Sequence, residues 1–337
     1  MRRVIFIIVV FLTIFFAALV AALNSPWLSV KLARRILRSA LKEVKLTEVV
    51  VTRQHFTMPG EVEFTGVRLL LMIKGKPLTI NVPHCHVTGL QTFFSNEPRV
   101  FITVKDAAAQ FPPGEARNVG AELSFSMTAD KKFVLSGPVS AQEASWDRFK
   151  AAQVSFFLAG APERWEFRAI KASAYGGGLA GKAQVVFSQV PAYDVELFLS
   201  DMLTTELSKI NLQISEQLGG KIGGAVHVTG NGEKMSSLAT DLSMPGGGKM
   251  SASLLGVLTQ YIPQSREKKM LDDLIKVGGL LDVEVLSFSM KSDSPRHLSG
   301  EVHILSKAIN VELNITNDIN TDGTLESLLS YWQAYLK

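Results

Sequence analysis

From residue 46 onward, apolar and polar positions alternate along most of the chain. In residues 308–316, Ile309, Val311, Leu313 and Ile315 fall on one face, and "AELSFSM" (121–127) alternates as cleanly. A period of two belongs to a strand with one covered face, the pattern of antiparallel sheet. The same reading predicts strands around 46–53, 67–73, 78–87, 100–105, 154–158, 165–174, 183–188, 195–199, 225–229, 283–290 and 301–305. The apolar phase slips at Thr65-Gly66 and between Val285 and Leu286, which predicts bulges that bend the sheet. Helical spacing interrupts the strands in a few places. Residues 201–218 carry Leu203, Leu207, Ile210, Ile214 and Leu218 on one stripe before Gly219-Gly220. A second stripe holds Leu254, Leu255, Leu258, Tyr261 and Ile262 before Pro263, and a third holds Met270, Leu271, Leu274 and Ile275 before Gly278-Gly279. The tail "TLESLLSYWQAYLK" is a fourth. No low-complexity linker divides this body, although "QFPPGEARN" (110–118) marks a soft boundary.

The stretch "ASAYGGGLAGKAQVVF" (172–187) carries two nucleotide-binding patterns. Gly176, Gly178 and Gly181 match G-x-G-x-x-G, while Gly176, Gly181 and Lys182 match G-x-x-x-x-G-K. Both motifs need a helix after the glycines, whose N-terminus holds phosphate. Position 183 is Ala, so the hydroxyl that would hold a metal is missing, and "AQVVFSQV" reads as a strand ended by Pro191. Tyr175, Gly176, Gly177, Gly178 and Gly181 therefore read as the turn of a hairpin, with glycine supplying positive φ. Glycines lead into ordered segments again in "LGGKIGGAVHVTGNG" (218–232) and "PGGGKMSASLL" (245–255). A sheet that turns on glycine so often tends to be long and curved.

Hydropathy changes the picture at the N-terminus. Residues 4–23 form a run of 20 whose only polar member is Thr13. At about 1.5 Å per residue the run spans about 30 Å, the thickness of a bilayer's hydrocarbon core. Val4, Phe6, Phe11, Phe15, Phe16 and Leu23 are anchor residues in this reading. A cleavable signal peptide is the rival, with Arg2 and Arg3 as its basic start and Val20-Ala21-Ala22 as its cleavage site, but its apolar region is normally shorter, about 7–15 residues. Residues 26–45 follow as a basic amphipathic helix lying on the bilayer surface, or as a solvated linker helix. Charge belongs to this end: residues 1–43 carry a net +6 against a chain total of +4, which leaves −2 for the rest. That balance excludes a nucleic-acid stripe on the body. The cations that follow the span favour a cytoplasmic body by the positive-inside rule.

The candidate chemistry is thin. His84-Cys85-His86 invites a metal, but on a strand the two histidines share one face and Cys85 points to the other, and His55, His227, His297 and His303 form no second cluster in sequence. Asp272-Asp273 reads as the solvated side of a helix. The chain has neither H-E-x-x-H nor G-x-S-x-G, and no cofactor or nucleotide is expected. Cys85 is the only cysteine, so disulfides do not hold the fold. Asn314-Ile315-Thr316 is a glycosylation sequon of the kind chance supplies. Trp165 and Phe167 need an apolar face, either in a core or in a groove.

The order "YGGGLAG", strand, "SDMLTTELSKI", "LGGKIGGAVHVTGNG", "GGGK" resembles the C-terminal region of bacterial AsmA-like proteins. The membrane run followed by "VEFTGVRLLL" and "LTINVPHCHVTGLQTFFSNEPRVFITVKDAAAQF" resembles the family's opening, and the likeness is strongest over 165–250. The resemblance implies a mainly β protein: a transmembrane anchor (1–25), a juxtamembrane helix (26–45) and a periplasmic body (46–337). That body would be an elongated, curved, largely antiparallel sheet with a few short amphipathic helices. It implies a bacterial inner-membrane location, non-enzymatic lipid handling, and a role in lipid transport or outer-membrane assembly. Trp165, Phe167, Val185, Phe187, Val195, Leu197, Val311 and Leu313 would line a groove for phospholipid acyl chains, with the bilayer as partner. About fifteen strands at roughly 4.8 Å give a groove of about 70 Å, short for crossing a periplasm without self-association or an envelope partner. The alternative is a structural scaffold of a secretion or envelope complex, with the apolar faces closed into a dry core.

Overall fold

The computed structural model describes residues 44–58, 60–73, 76–95, 99–127, 133–161, 163–188, 190–210, 216–232, 234–259, 264, 266–294, 297–307 and 310–318. The expected anchor, with Val4, Phe6, Phe11, Phe15, Phe16 and Leu23, lies outside these residues, as does the tail stripe. So does the expected basic helix except at its last two positions, which are already strand. Among the described residues, no helix is long and apolar enough to cross a membrane. The protein is mainly β, antiparallel, with few short helices. It divides into two compact units. The first runs to Ile170 and includes Val185–Phe187; the second comprises Lys171–Gln184 and the residues from Ser188 onward.

The first unit is a meander. Strands β1 (Val44–Met58), β2 (Glu61–Ile73), β3 (Lys76–Thr88), β4 (Arg99–Phe111), β5 (Gly114–Met127), β6 (Phe133–Trp146) and β7 (Phe149–Ala161) each pair antiparallel with the next. The start of β8 (Arg164–Ala174) also belongs to this unit. Alternation explains the layering. In β4, Val100, Ile102 and Val104 are buried while Phe101 and Lys105 face out. Buried side chains from β1 to β8 form one cluster, from Val49 through Phe64, Leu78, Ile102 and Leu135 to Trp165. The stretch 110–118, read as a soft boundary, is the β4–β5 hairpin inside this unit.

A crease runs across these strands. Gly66 in β2 has φ +68°, and left-handed residues recur at Asp106 in β4 (+55°), Asn118 in β5 (+49°) and Gln153 in β7 (+51°). The register carries the line from strand to strand. Gly66 falls opposite Pro83, Asn118 opposite Gln142 and Gln142 opposite Gln153. The Asn118 side-chain amide also donates to the side-chain Oε1 of Gln142. Asn and Asp tolerate this region best among residues with a Cβ, which explains two of the choices. At each such residue the side-chain phase shifts by one. In β2, Val62 and Phe64 are buried before Gly66, and Val67, Leu69 and Leu71 after it. The phase slip expected at Thr65-Gly66 is one member of this line, but it is not the bulge expected there: the pairing of β2 with β1 and β3 runs through it without a register shift, and the left-handed Gly66 alone flips the phase.

In the second unit, β10 (Ala192–Leu203), β11 (Leu218–Asn231), β12 (Lys234–Ser243), β15 (Val285–Ser294), β16 (His297–Leu305) and β17 (Asn310–Asp318) pair in that order, all antiparallel. The first residues of β11 also pair with β13 (Gly248–Ser251), which pairs with β14 (Leu280–Val283). The slip expected between Val285 and Leu286 lies at Glu284, where the chain leaves β14 and takes new partners as β15.

Among its described residues this unit also holds helices α1 (Thr204–Leu207), α2 (Ala252–Thr259) and α3 (Arg266–Val277). Leu255 of α2 and Leu271 of α3 are buried with Met250, Val283, Val302 and Ile304. The Ser251 hydroxyl caps α2 by accepting from the Leu254 amide at 3.2 Å. Gly278-Gly279 follows α3 with φ of +71° and +93°. The helix expected over 201–218 is corrected at its two ends: Asp201–Leu203 ends β10 and Leu218 opens β11. Between them α1 is a single turn, Glu216 and Gln217 are helical, and residues 211–215, with Ile214, lie outside the described residues. Met202 and Leu203 pair with Ile222 and Lys221, so strand pairing overrides the leucine spacing.

Candidate apolar binding face

The hairpin that raised the nucleotide question turns on two residues. Tyr175 and Gly176 both have positive φ (+50° and +74°), the geometry of a tight two-residue hairpin. Gly177, Gly178 and Gly181 lie beyond the turn, in β9 (Gly177–Val186). Strand β9 pairs with β10, so no helix N-terminus follows the glycines to hold a phosphate. A Cβ at Gly181 would run into the Glu196 carbonyl of β10, so glycine serves close approach of the two backbones.

Period two in β10 then sorts its side chains. Glu196 faces the polar side, where its carboxylate meets Lys182 at 2.6 Å and raises the Lys182 pKa through that hydrogen bond. Asp194 shares that side and lies 2.8 Å from His227. Val195 and Leu197 face the other way. Register extends their rows through the unit: Leu197 pairs with Val226, Val226 with Thr240, Thr240 with Met290, and Met290 with Gly300. A parallel row joins Leu242, Phe288 and Val302, and Val302 pairs with Leu313. Ile304 pairs with Val311. Val195, Leu197, Val226, Val228, Phe288 and Val311 are half-buried, whereas Met290, Val302 and Ile304 are buried. Thr240 Oγ1 is buried within this apolar face with no hydrogen-bond partner.

The first unit grades in the same way. Its buried cluster runs from β1 to β8, and Val139, Phe156, Phe167 and Phe187 pack against it half-buried. Phe156 and Phe167 meet edge to face at 5.6 Å. Val185 is half-buried as well. Trp165 differs: it is 1% exposed and its ring lies over Gly160, where a Cβ would come within 2.6 Å of it. Its indole Nε1 has no hydrogen-bond partner. Beside it Glu166 faces the polar side, held below the usual carboxylate range by its hydrogen bond with Arg168, with Arg164 at 2.8 Å adding to the effect. The sequence singled out Trp165, Phe167, Val185, Phe187, Val195, Leu197, Val311 and Leu313; of these Trp165 is sealed in the core, and the Leu313 side chain lies outside the described residues. It missed Val226, Val228, Phe156 and Phe288, whose alternation was legible but whose register with the others was not.

The sites discounted from sequence fall on separate faces. Cys85 is buried, and burial pushes its thiol up to about 12. His84 and His86 face the opposite side with Glu63, Thr103 and Lys105, around a shallow depression, and Glu61 is 3.8 Å from His86. Among the described residues, no group of three or more His, Cys, Asp or Glu is placed to hold a metal ion. Asp273 pairs with Lys276 at 3.2 Å on the surface of α3.

These two units define a class: a mainly β protein of long antiparallel strands whose alternation gathers apolar side chains into clusters, some members buried and others half-buried. No family model, no curated protein and no solved structure matches the chain.

Proposed function

We propose that this chain is a membrane-anchored lipid-handling protein whose apolar sheet faces hold phospholipid acyl chains. One observation carries the reading: successive strands of the second unit bring apolar side chains into common rows in which Val195, Leu197, Val226 and Phe288 are half-buried beside sealed members such as Met290 and Val302. An acyl chain laid across such rows gains about 0.8 kcal/mol per methylene it buries, while its headgroup remains in water. The apolar run at residues 4–23 supports an anchor. The resemblance to AsmA-like proteins supports an inner-membrane location with the body in the periplasm, a role in lipid transport or outer-membrane assembly, and no covalent chemistry. The partners are then the bilayer and a phospholipid ligand, with self-association or an envelope protein needed to span a periplasm.

A photo-crosslinking amino acid placed at Leu197 or Glu196 of the membrane-embedded chain tests this. The two positions are neighbours on one strand and point to opposite faces. Phospholipid adducts at 197 and none at 196 are expected. Protein adducts at 197 without lipid would turn the reading to a scaffold whose apolar face meets a partner.

A further inference from the structure

A row of aromatic side chains crosses one end of the first unit's meander. Phe111 closes β4 and pairs with Gly114, Gly114 pairs with Trp146, and Trp146 pairs with Phe149 at the start of β7. Gly114 is what lets the row form. A Cβ there would lie 2.6 Å from the Trp146 ring, so the bare backbone allows the indole to lie across it and stack on Phe111 at 6.1 Å. The two hairpin turns are tied to each other, because the Asp147 amide donates to the Pro113 carbonyl at 3.1 Å. Pro112 and Pro113 are exposed beside them. Against this support Trp146 is still 41% exposed and Phe149 51%. A backbone that holds aromatic rings at a hairpin end, part in water, is arranged for an apolar contact.

The register says which end this is. Val44, the first residue of β1, pairs with Ile73, and Ile73 with Lys76. Thr79 then pairs with Gln110, next to Phe111. The chain therefore enters the meander from the apolar run and basic stretch at the same end that carries the aromatic row. Arg148 and Lys150 are exposed there, alongside Asp147. Glu115 at the same end is 2.9 Å from Arg117. Trp and Phe flanked by Arg and Lys match the apolar–polar boundary of a bilayer with anionic headgroups.

We propose that the β4–β5 and β6–β7 hairpin tips form a second membrane contact, with Phe111, Trp146 and Phe149 seated in the headgroup boundary of the bilayer that holds the anchor. This rests on the reading of residues 4–23 as a retained anchor. It fixes the first unit end-on to the membrane, with its strands rising from the surface and the entrance to its apolar face at lipid level.

The test uses the full chain reconstituted in vesicles of phosphatidylcholine and phosphatidylglycerol. Cys85 is buried, so a thiol-reactive, environment-sensitive dye can be directed to Phe149→Cys, to Arg148→Cys, which spares the aromatics, or to Ser95→Cys at the opposite end of the same strands. Circular dichroism confirms that each variant is folded. Emission from positions 148 and 149 is expected to shift to the blue and to be quenched by lipid carrying a nitroxide near the headgroup. Position 95 is expected to do neither. A chain that floats with the vesicles but leaves 148 and 149 unquenched overturns the tip contact while leaving the anchor standing. A blue shift without lipid quenching assigns the tip to a protein contact and overturns the proposal. A chain that does not float overturns the anchor reading and the tip with it.

Discussion

Leu197→Glu is the substitution that separates a lipid-holding face from an ordinary sheet surface. Leu197 is half-buried in β10 and paired with Val226, and Phe198, its neighbour, faces the opposite side at 47% exposure. An acyl chain crossing the 197 position buries on the order of two methylenes against the leucine, about 1.6 kcal/mol, or roughly a fifteenfold change in affinity. A glutamate there must also lose water beneath the acyl chain, which adds on the order of several kcal/mol. Bound phospholipid should therefore fall below detection in Leu197→Glu and persist in Phe198→Glu, which removes an apolar side chain of greater size from the other face. Leu197→Ala, which shortens the apolar side chain without adding a charge, should lie between them. The assay is quantitative lipid mass spectrometry on purified protein, with thermal unfolding to show that each variant remains folded. Equal lipid loss in the 197 and 198 variants, or none in either, would refute the assignment of this face.

Three further outcomes follow from local physics. Asn118→Val places a β-branched residue at φ +49° and removes the side-chain hydrogen bond to Gln142, so it should cost about 1–3 kcal/mol in urea unfolding, while Asn118→Gly should lie near wild type. Trp165→Phe removes a buried N–H that has no partner and should be close to neutral or stabilising, whereas Trp165→Ala should cost about 3–5 kcal/mol; a large loss in the Phe variant would mean the indole has a partner in solution. Cys85 is held neutral to about pH 12 in the fold, against an ordinary value of 9.0. Its unfolded thiol ionises first, so its contribution is intact below about pH 9 and is lost at up to about 1.4 kcal/mol per pH unit as pH rises from there toward 12. Unfolding midpoints of wild type and Cys85→Ala should therefore converge as pH rises through that window, and parallel curves would refute the assignment.

Much of the sheet was legible because period two survives without knowledge of the partners. Val195 and Leu197 could be placed on one face from spacing alone, and α3 was visible in its leucines and closing glycines. The failures have physical causes. β6 hides its alternation behind Gly137-Pro138 and a run of small residues, and β12 ("KMSSLATDLS") has few apolar positions to count. The stripe at 201–218 has helical spacing, yet backbone pairing with β11 holds Met202 and Leu203 as strand, and the helix begins only at Thr204. The crease is half-legible: Thr65-Gly66 shows a slip, but Asp106, Asn118 and Gln153 look like ordinary polar strand residues until register aligns them. Whether an apolar row is sealed or open depends on neighbours across the sheet, which spacing along the chain does not contain. Phe167 and Trp165 are two residues apart on one strand, and only the second is buried completely.

The most direct test of the lipid-holding face is mass spectrometry of organic extracts from the chain beginning at Asn24, exported to a bacterial periplasm and purified without detergent. Phospholipid is expected at a reproducible molar ratio, above that of a control β protein prepared in the same way. A monodisperse, folded, lipid-free protein would contradict the assignment.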